Sequence, residues 1–505
     1  MKYKNLIIFS IILLASTLRL YRLNSYPPLL WDEAALGYNT FSLLKTGKDE
    51  FGKILPITLK SFGDYKPALY AYLDLPFVAT LGLNEFSTRL LSAVAGILAV
   101  YLLYLVIKVH TQNTKLALFS SFLLATNPFH ILLSRGAWET NLVSTFFLLA
   151  LYLLYNKKYI LSTILFVLPA YTYQSAKLTS PLLFITTLFI FPRTKITYKI
   201  GIFILLFSPI LLMNFFGNDS NRFKTVSILS YSQPDKYKNS IIFPETLFKF
   251  RNVATRYFNH FSPELLFTRG DWQNARQSPP YAGILLIILL PFFVTGLFKP
   301  NHTKFDTFLY FWLFLSPISS SLTKDLVQPV RATSFIIPLI YFSAKGLCLL
   351  INNSFIALIL IVLVFTNLYY VQDLYFNHMV NKYPREWLLG YKEAVTYGIN
   401  SNSKDIFFSD YYGQPHIFYA FYSKLNPITY QKQIKLSTNS TDVGTVEKIN
   451  NWNFTSINFE GYKTKQNTTL ILSKEGLIRQ NLDKTIFIPL GPTINGYANF
   501  YGYKN

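Results

Sequence analysis

The stretch S-T-R-L-L-S-A-V-A-G-I-L-A-V-Y-L-L-Y-L-V-I-K, residues 87–108, decides the fold class. No charge lies between Arg89 and Lys108, and a helix needs about 20 mostly apolar residues to cross the hydrocarbon core of a bilayer. Ser92, Ala93, Ala95 and Gly96, near its start, are small enough to let a neighbouring helix come close. Runs of the same kind recur at 5–20, 115–133, 140–155, 158–175, 178–192, 199–215, 281–298, 305–322, 330–350 and 354–371. Together they predict a polytopic α-helical membrane protein with about eleven transmembrane helices. The composition agrees: 14% of the residues are charged, where a soluble chain carries about 25%.

The first run opens on Lys2 and Lys4 and is followed by R-L-Y-R (19–22) instead of a small-residue cleavage site, so it reads as an uncleaved anchor. With the N-terminus in the cytoplasm, Lys108/Lys115, Lys157/Lys158, Arg193/Lys195/Lys199, Lys299/Lys304 and Lys345 all fall inside, as basic short loops require. Three large pieces then lie outside: a first loop at 21–86, a second at 216–280 and the tail. The expected organisation is a transmembrane catalytic domain over 1–371 and an extracytoplasmic domain over 372–505. In the tail, D-I-F-F-S-D-Y-Y, H-I-F-Y-A-F-Y and T-T-L-I-L-S read as strands and 385–399 as a helix, giving a small α/β domain. A multi-pass plasma membrane, prokaryotic for its short loops, is the expected location. The net charge of +22 is spread over short loops and tail rather than gathered on one element. It therefore suits anionic lipid headgroups and a phosphate-bearing substrate, and not nucleic acid.

Charges near a bilayer are costly and seldom idle. The densest set is in the first outer loop. Asp32 and Glu33, in P-P-L-L-W-D-E-A-A-L-G-Y, stand at the predicted start of a short interfacial helix. One carboxylate there can stay ionised and act as a base; a helix cap with a solvated neighbour fits the spacing as well. Asp64 and Lys66 follow in F-G-D-Y-K-P-A-L-Y, ahead of an aromatic run that holds Asp74 and Pro76 and reads as interfacial. Lys66 can meet a lipid phosphate or simply reach for the headgroups. Arg89, the turn residues His130, Arg135 and Glu139, Tyr171 and Gln174 of A-Y-T-Y-Q-S-A-K-L, and Arg331 all map to the outer edge. There is no phosphate-binding loop, dinucleotide fingerprint or zinc-spaced Cys/His cluster, and no cytoplasmic segment long enough to build a nucleotide site.

In the order W-D-E-A, D-Y-K-P-A-L-Y, R-L-L-S-A-V-A-G and N-P-F-H-I-L-L-S-R-G-A-W-E-T-N, residues 5–230 resemble the C-type membrane glycosyltransferases. The likeness is to the dolichyl-phosphate-mannose protein mannosyltransferase branch, which includes the lipid A aminoarabinose transferases. The resemblance implies transfer of one sugar from a polyprenyl-phosphate donor to an acceptor hydroxyl of a protein, lipid or glycan, with inversion. Asp32 would be the catalytic carboxylate and Glu33 its adjacent candidate. Lys66 would bind the donor phosphate, with Arg89 and Arg331 as further contacts. Asp64, His130, Arg135, Glu139, Tyr171 and Gln174 would line the site. Ala68 stands where the family's motif has a second proline. No cofactor is required, although Asp32 and Glu33 leave a divalent cation open. A lipid or glycan flippase is the competing reading.

Overall fold

The computed structural model describes residues 2–62, 64–191, 195–216, 227–230, 244–299, 303–351, 354–437 and 444–505. Among the described residues, three helices are long and apolar enough to cross a membrane: Glu85–Thr111, Ile196–Met213 and Pro329–Leu350. Shorter apolar helices include Leu69–Leu81, Asn141–Tyr155, Tyr159–Tyr171, Ala176–Ile190 and Ile287–Phe298. The expected span 115–133 is broken into Thr114–Thr126 and Pro128–Ser134, bent by 60°. Asn127 causes the break: it leaves the helical region, and its side chain caps the second piece by accepting from the His130 N–H. Pro128 at the first position has no N–H to lose. The expected span 281–298 is α-helical only over Leu290–Phe298, after a 3₁₀ turn at Ile287–Leu289.

The chain divides into two compact units: Met1–Tyr21 with Ser92–Tyr375, and Arg22–Leu91 with Phe376–Asn505. The first outer loop thus groups with the tail, where a linear division at residue 371 groups it with the spans.

The first unit is a helical assembly in which small residues decide the closest contacts. The Asn141 amide donates to the Ser92 carbonyl (2.8 Å) and the Thr145 hydroxyl to the Ala95 carbonyl (3.0 Å). This is the close approach that Ser92, Ala95 and Gly96 allow. Gly296 and Gly346 let two helices touch backbone to backbone, since a Cβ on either would strike a carbonyl of the other, Phe342 or Phe292. We expect Gly346→Val to lie at the upper end of the roughly 1–3 kcal/mol cost of overpacking, because a backbone cannot rotate away as a side chain can. Thermal unfolding in detergent checks this; an unchanged midpoint would refute it.

The second unit begins with α2 (Trp31–Thr46), following the anchor helix α1 (Lys2–Leu20). Its hairpin pairs β1 (Thr58–Ser61) with β2 (Asp64–Pro67), with Leu59 opposite Lys66, and leads into α3 (Leu69–Leu81). The α2 helix is not the surface helix expected. Glu33 to Thr40 are buried without interruption, because α3 packs on one side and the helix Pro415–Tyr422 on the other. A Cβ at Gly37 would meet Thr88 and Phe421. In contrast, α3 buries a single stripe of Tyr70, Ala71, Asp74 and Val78.

The tail folds around a six-stranded mixed sheet, in the order Lys448–Ile449, Trp452–Phe454, Asp405–Phe408, Thr468–Ser473, Phe500–Lys504, Ile488–Leu490. Asp405–Phe408 and Thr468–Ser473 are the strands expected from D-I-F-F and T-T-L-I-L-S, and they pair in parallel. H-I-F-Y-A-F-Y is a helix instead. Pro415 opens it, residues 415–421 are all buried, and Phe418 stacks on Tyr391 at 4.0 Å. Burial on every side erases the period that separates a helix from a strand. The helix expected at 385–399 runs over Tyr391–Asn400.

Candidate active site

Asp32 and Glu33 sit in the first turn of α2, where the exposed N–H groups favour negative charge. Successive helical residues point about 100° apart, and the two carboxylates part accordingly. Glu33 turns inward onto Arg89: Oε1 accepts from Nε and Oε2 from Nη2, each at 2.8 Å. Its Oε2 also accepts from the Leu30 N–H at 3.0 Å, which fixes the helix start. Arg89 donates further to the carbonyls of Leu23 (3.1 Å) and Pro28 (3.2 Å). Both side chains of this pair are buried. A bidentate, enclosed fork of this kind is a strut. It places Glu33 and Arg89 against each other in an enclosed pair, and leaves Asp32 as the partly exposed one of the two carboxylates.

Asp32 turns the other way and forms an ion pair with Lys66 of β2. The carboxylate is 39% exposed and the ammonium-bearing side chain 14%. A partly exposed carboxylate beside a mostly enclosed cation is thus assembled from two motifs that the hairpin brings together. The alanine that departs from the family's motif has a local reason. The Ala68 N–H donates to the Ile57 carbonyl at 3.0 Å, a bond that proline cannot make. Asp64 opens β2, and its side chain lies outside the described residues. A divalent ion shared by Asp32 and Glu33 does not fit, because Arg89 already takes both Glu33 oxygens.

The remaining sequence candidates belong to the first unit. His130 is buried, with Nδ1 2.8 Å from Nη2 of Arg19. Arg135 donates to the Leu18 and Arg19 carbonyls and to the Tyr375 hydroxyl. The Tyr171 hydroxyl donates to the Leu206 carbonyl at 2.7 Å, and Arg331 pairs with Asp325 at 2.9 Å. Glu139 is buried and Gln174 half-buried. His130 and Arg135 thus tie helix ends together, and Arg331 faces a carboxylate.

One group escaped the sequence reading. The loop after α2 folds back on Asp49, whose Oδ1 accepts from the N–H groups of Phe51 (3.0 Å) and Lys53 (2.8 Å). Asn39 of α2 accepts from the Glu50 N–H at 3.0 Å, and Gln431 donates to the Asp49 carbonyl at 2.9 Å. Glu50 is thereby pressed into the protein interior, 1% exposed. The signal was present as D-E in T-G-K-D-E-F-G, but a charged pair in a loop reads as solvated.

A family model for dolichyl-phosphate-mannose-protein mannosyltransferases matches residues 9–164. Among curated proteins no sequence matches this chain. The structure of ArnT from Cupriavidus metallidurans bound to undecaprenyl phosphate superposes with a TM-score of 0.56 at 10% identity, over 98% of this chain and 97% of that one. Its apo form gives 0.54 at 10% identity, over 99% and 97%. The oligosaccharyltransferase AglB from Archaeoglobus fulgidus gives 0.45 at 12% identity, over 79% and 58%. The chain has the fold of the ArnT structures over nearly its whole length, and its residues 9–164 carry the match to the dolichyl-phosphate-mannose-protein mannosyltransferase family model.

Proposed function

We propose that this chain is a membrane glycosyltransferase that moves one sugar from a polyprenyl-phosphate donor to an acceptor hydroxyl. The contact between Asp32 and Lys66 carries this reading: a base and a cation side by side are what the reaction needs. Asp32 takes the proton of the acceptor hydroxyl, and the acceptor oxygen attacks the anomeric carbon. The bond from that carbon to the phosphate oxygen breaks, its electrons stay on the phosphate, and the Lys66 ammonium balances the new charge. A single in-line displacement inverts the anomeric centre and needs no covalent intermediate. The ArnT structure, described as bound to undecaprenyl phosphate, supports a lipid phosphate as the donor's carrier.

The site is assigned to the outer face of a plasma membrane, with the N-terminus in the cytoplasm and the C-terminal domain outside. The acceptor is a protein, a lipid or a surface glycan. The test is a proteoliposome assay with radiolabelled polyprenyl-phosphate sugars and membrane extracts as acceptor. Label transferred to an acceptor, with the anomeric configuration inverted, is the expected result. Movement of the lipid between leaflets without any transfer would overturn it and leave a flippase.

A further inference from the structure

The tail carries a group of cations that the displacement just described does not use. At the end of the helix Lys474–Arg479, the Arg479 guanidinium lies 5.0 Å from the centre of the Tyr411 ring, and that of Arg385 lies 5.2 Å from the same centre. Both arginines are exposed and Tyr411 is half-buried. Among the described residues no carboxylate comes within ion-pair distance of either guanidinium. Glu475, on the same helix, accepts instead from the Tyr412 hydroxyl. The arrangement recurs at the start of that helix, where Lys474 and Lys484 lie 4.7 and 4.6 Å from the centre of the Tyr497 ring. The length of the helix sets these two stations about 8 Å apart. Like charges gathered on one ring repel each other, and a bound anion relieves that repulsion. The ring also holds the guanidinium planes in place, so an anion meets donors that are already ordered.

The backbone ties Tyr411 to the proposed site. It belongs to the turn 410–413, closed by the Gly413 N–H on the Asp410 carbonyl (2.9 Å) and held by the Tyr391 hydroxyl on the Gly413 carbonyl (2.7 Å). Gly413 has a φ of +86°, and a Cβ there would lie 3.1 Å from the Trp31 ring. Trp31 directly precedes Asp32 in α2. We propose that Arg385 and Arg479, ordered by Tyr411, bind a phosphate or carboxylate carried by an acceptor glycan and so hold that glycan beside Asp32. The inference rests on the reading of the chain as a transferase. Guanidinium forks suit such anions. The repeated station at Tyr497 favours a glycan with several charges over a single ion, and the place beside Trp31 favours an acceptor over a lipid surface.

The experiment uses the full chain in phosphatidylcholine nanodiscs and a fluorescent phosphorylated dextran oligosaccharide, with the unmodified oligosaccharide as its neutral partner. The phosphorylated form should bind, and the unmodified form should bind at least about tenfold more weakly. Arg385→Ala combined with Arg479→Ala should lower the affinity about tenfold or more, the worth of charge-assisted hydrogen bonds at an exposed site. Tyr411→Leu keeps both charges and should cost roughly threefold. Arg385→Lys combined with Arg479→Lys should recover only part of the alanine loss, because the fork is gone. Undecaprenyl phosphate should bind the wild type and the double alanine variant alike, since Lys66 takes the donor phosphate. Equal binding of the two oligosaccharides, full affinity in the double alanine variant, or a matching loss of undecaprenyl phosphate would overturn the proposal. Displacement of the glycan by an equal concentration of dihexanoyl-phosphatidylglycerol would assign the pair to lipid headgroups and overturn it too. Absence of transfer to any acceptor, with this binding intact, would instead overturn the transferase reading and leave the anion site standing.

Discussion

Asp32→Asn is expected to lower the transfer rate by about 10²–10⁴-fold, the usual contribution of a positioned general base. The amide keeps the size of the side chain and its place in the first turn of α2 but cannot take the acceptor's proton. The helix start does not depend on it, because the Leu30 N–H is capped by Glu33. Folding and donor binding should therefore survive while turnover collapses, and a kcat loss at nearly constant donor KM is the diagnostic split. Lys66→Ala should differ in kind. It removes the charge on the leaving phosphate, so both donor affinity and turnover fall. Steady-state kinetics with a synthetic polyprenyl-phosphate sugar separates the two patterns. Full activity in Asp32→Asn would remove the carboxylate from the chemistry.

Arg89→Ala carries the largest expected effect on stability, about 3–5 kcal/mol, the cost of leaving a buried charge without its partner. Glu33 would keep the Leu30 N–H but lose both arms of the fork, and the carbonyls of Leu23 and Pro28 would lose their donor. Glu33→Gln should cost a similar amount, since it leaves the buried guanidinium without its counter-charge and keeps a single acceptor oxygen. Combining Glu33→Leu with Arg89→Met should recover part of the loss, because no buried charge is then left alone. Thermal unfolding of the wild type, Glu33→Leu, Arg89→Met and their combination in one detergent forms the double-mutant cycle. Strictly additive losses would show that the fork is not a coupled pair. The same cycle read for activity asks whether Asp32 depends on that strut for its aim.

Much of this architecture could be read from residue order. The uncharged run ahead of Lys108 became the long helix Glu85–Thr111, and its small residues became close contacts. Asp32 and Lys66 were found through their motifs, and the hairpin joins them. Sequence spacing could not tell Asp32 from Glu33, since what separates them is the arginine that one of them faces. It also hid Glu50, because a loop's polarity says nothing of what packs over it. Breaks at Asn127 and before Leu290 were invisible to hydropathy, which counts apolar residues and not the carbonyls they leave unpaired. The aromatic run at 415–421 failed for the opposite reason, being enclosed so completely that it has no periodic face.

The grouping of residues 22–91 with residues 376–505 has a consequence for synthesis. The acidic helix and its hairpin leave the ribosome well before the tail helices that pack on them, which follow about three hundred residues later. At roughly 5–20 residues per second this leaves on the order of 15–60 s in which Asp49 and Glu50 lack Gln431 and Tyr430 of the tail. During that interval α2 has α3 to pack on but not the helix Pro415–Tyr422. The packing of residues 22–91 is therefore completed late, once residues 376–505 have been made, rather than on membrane insertion.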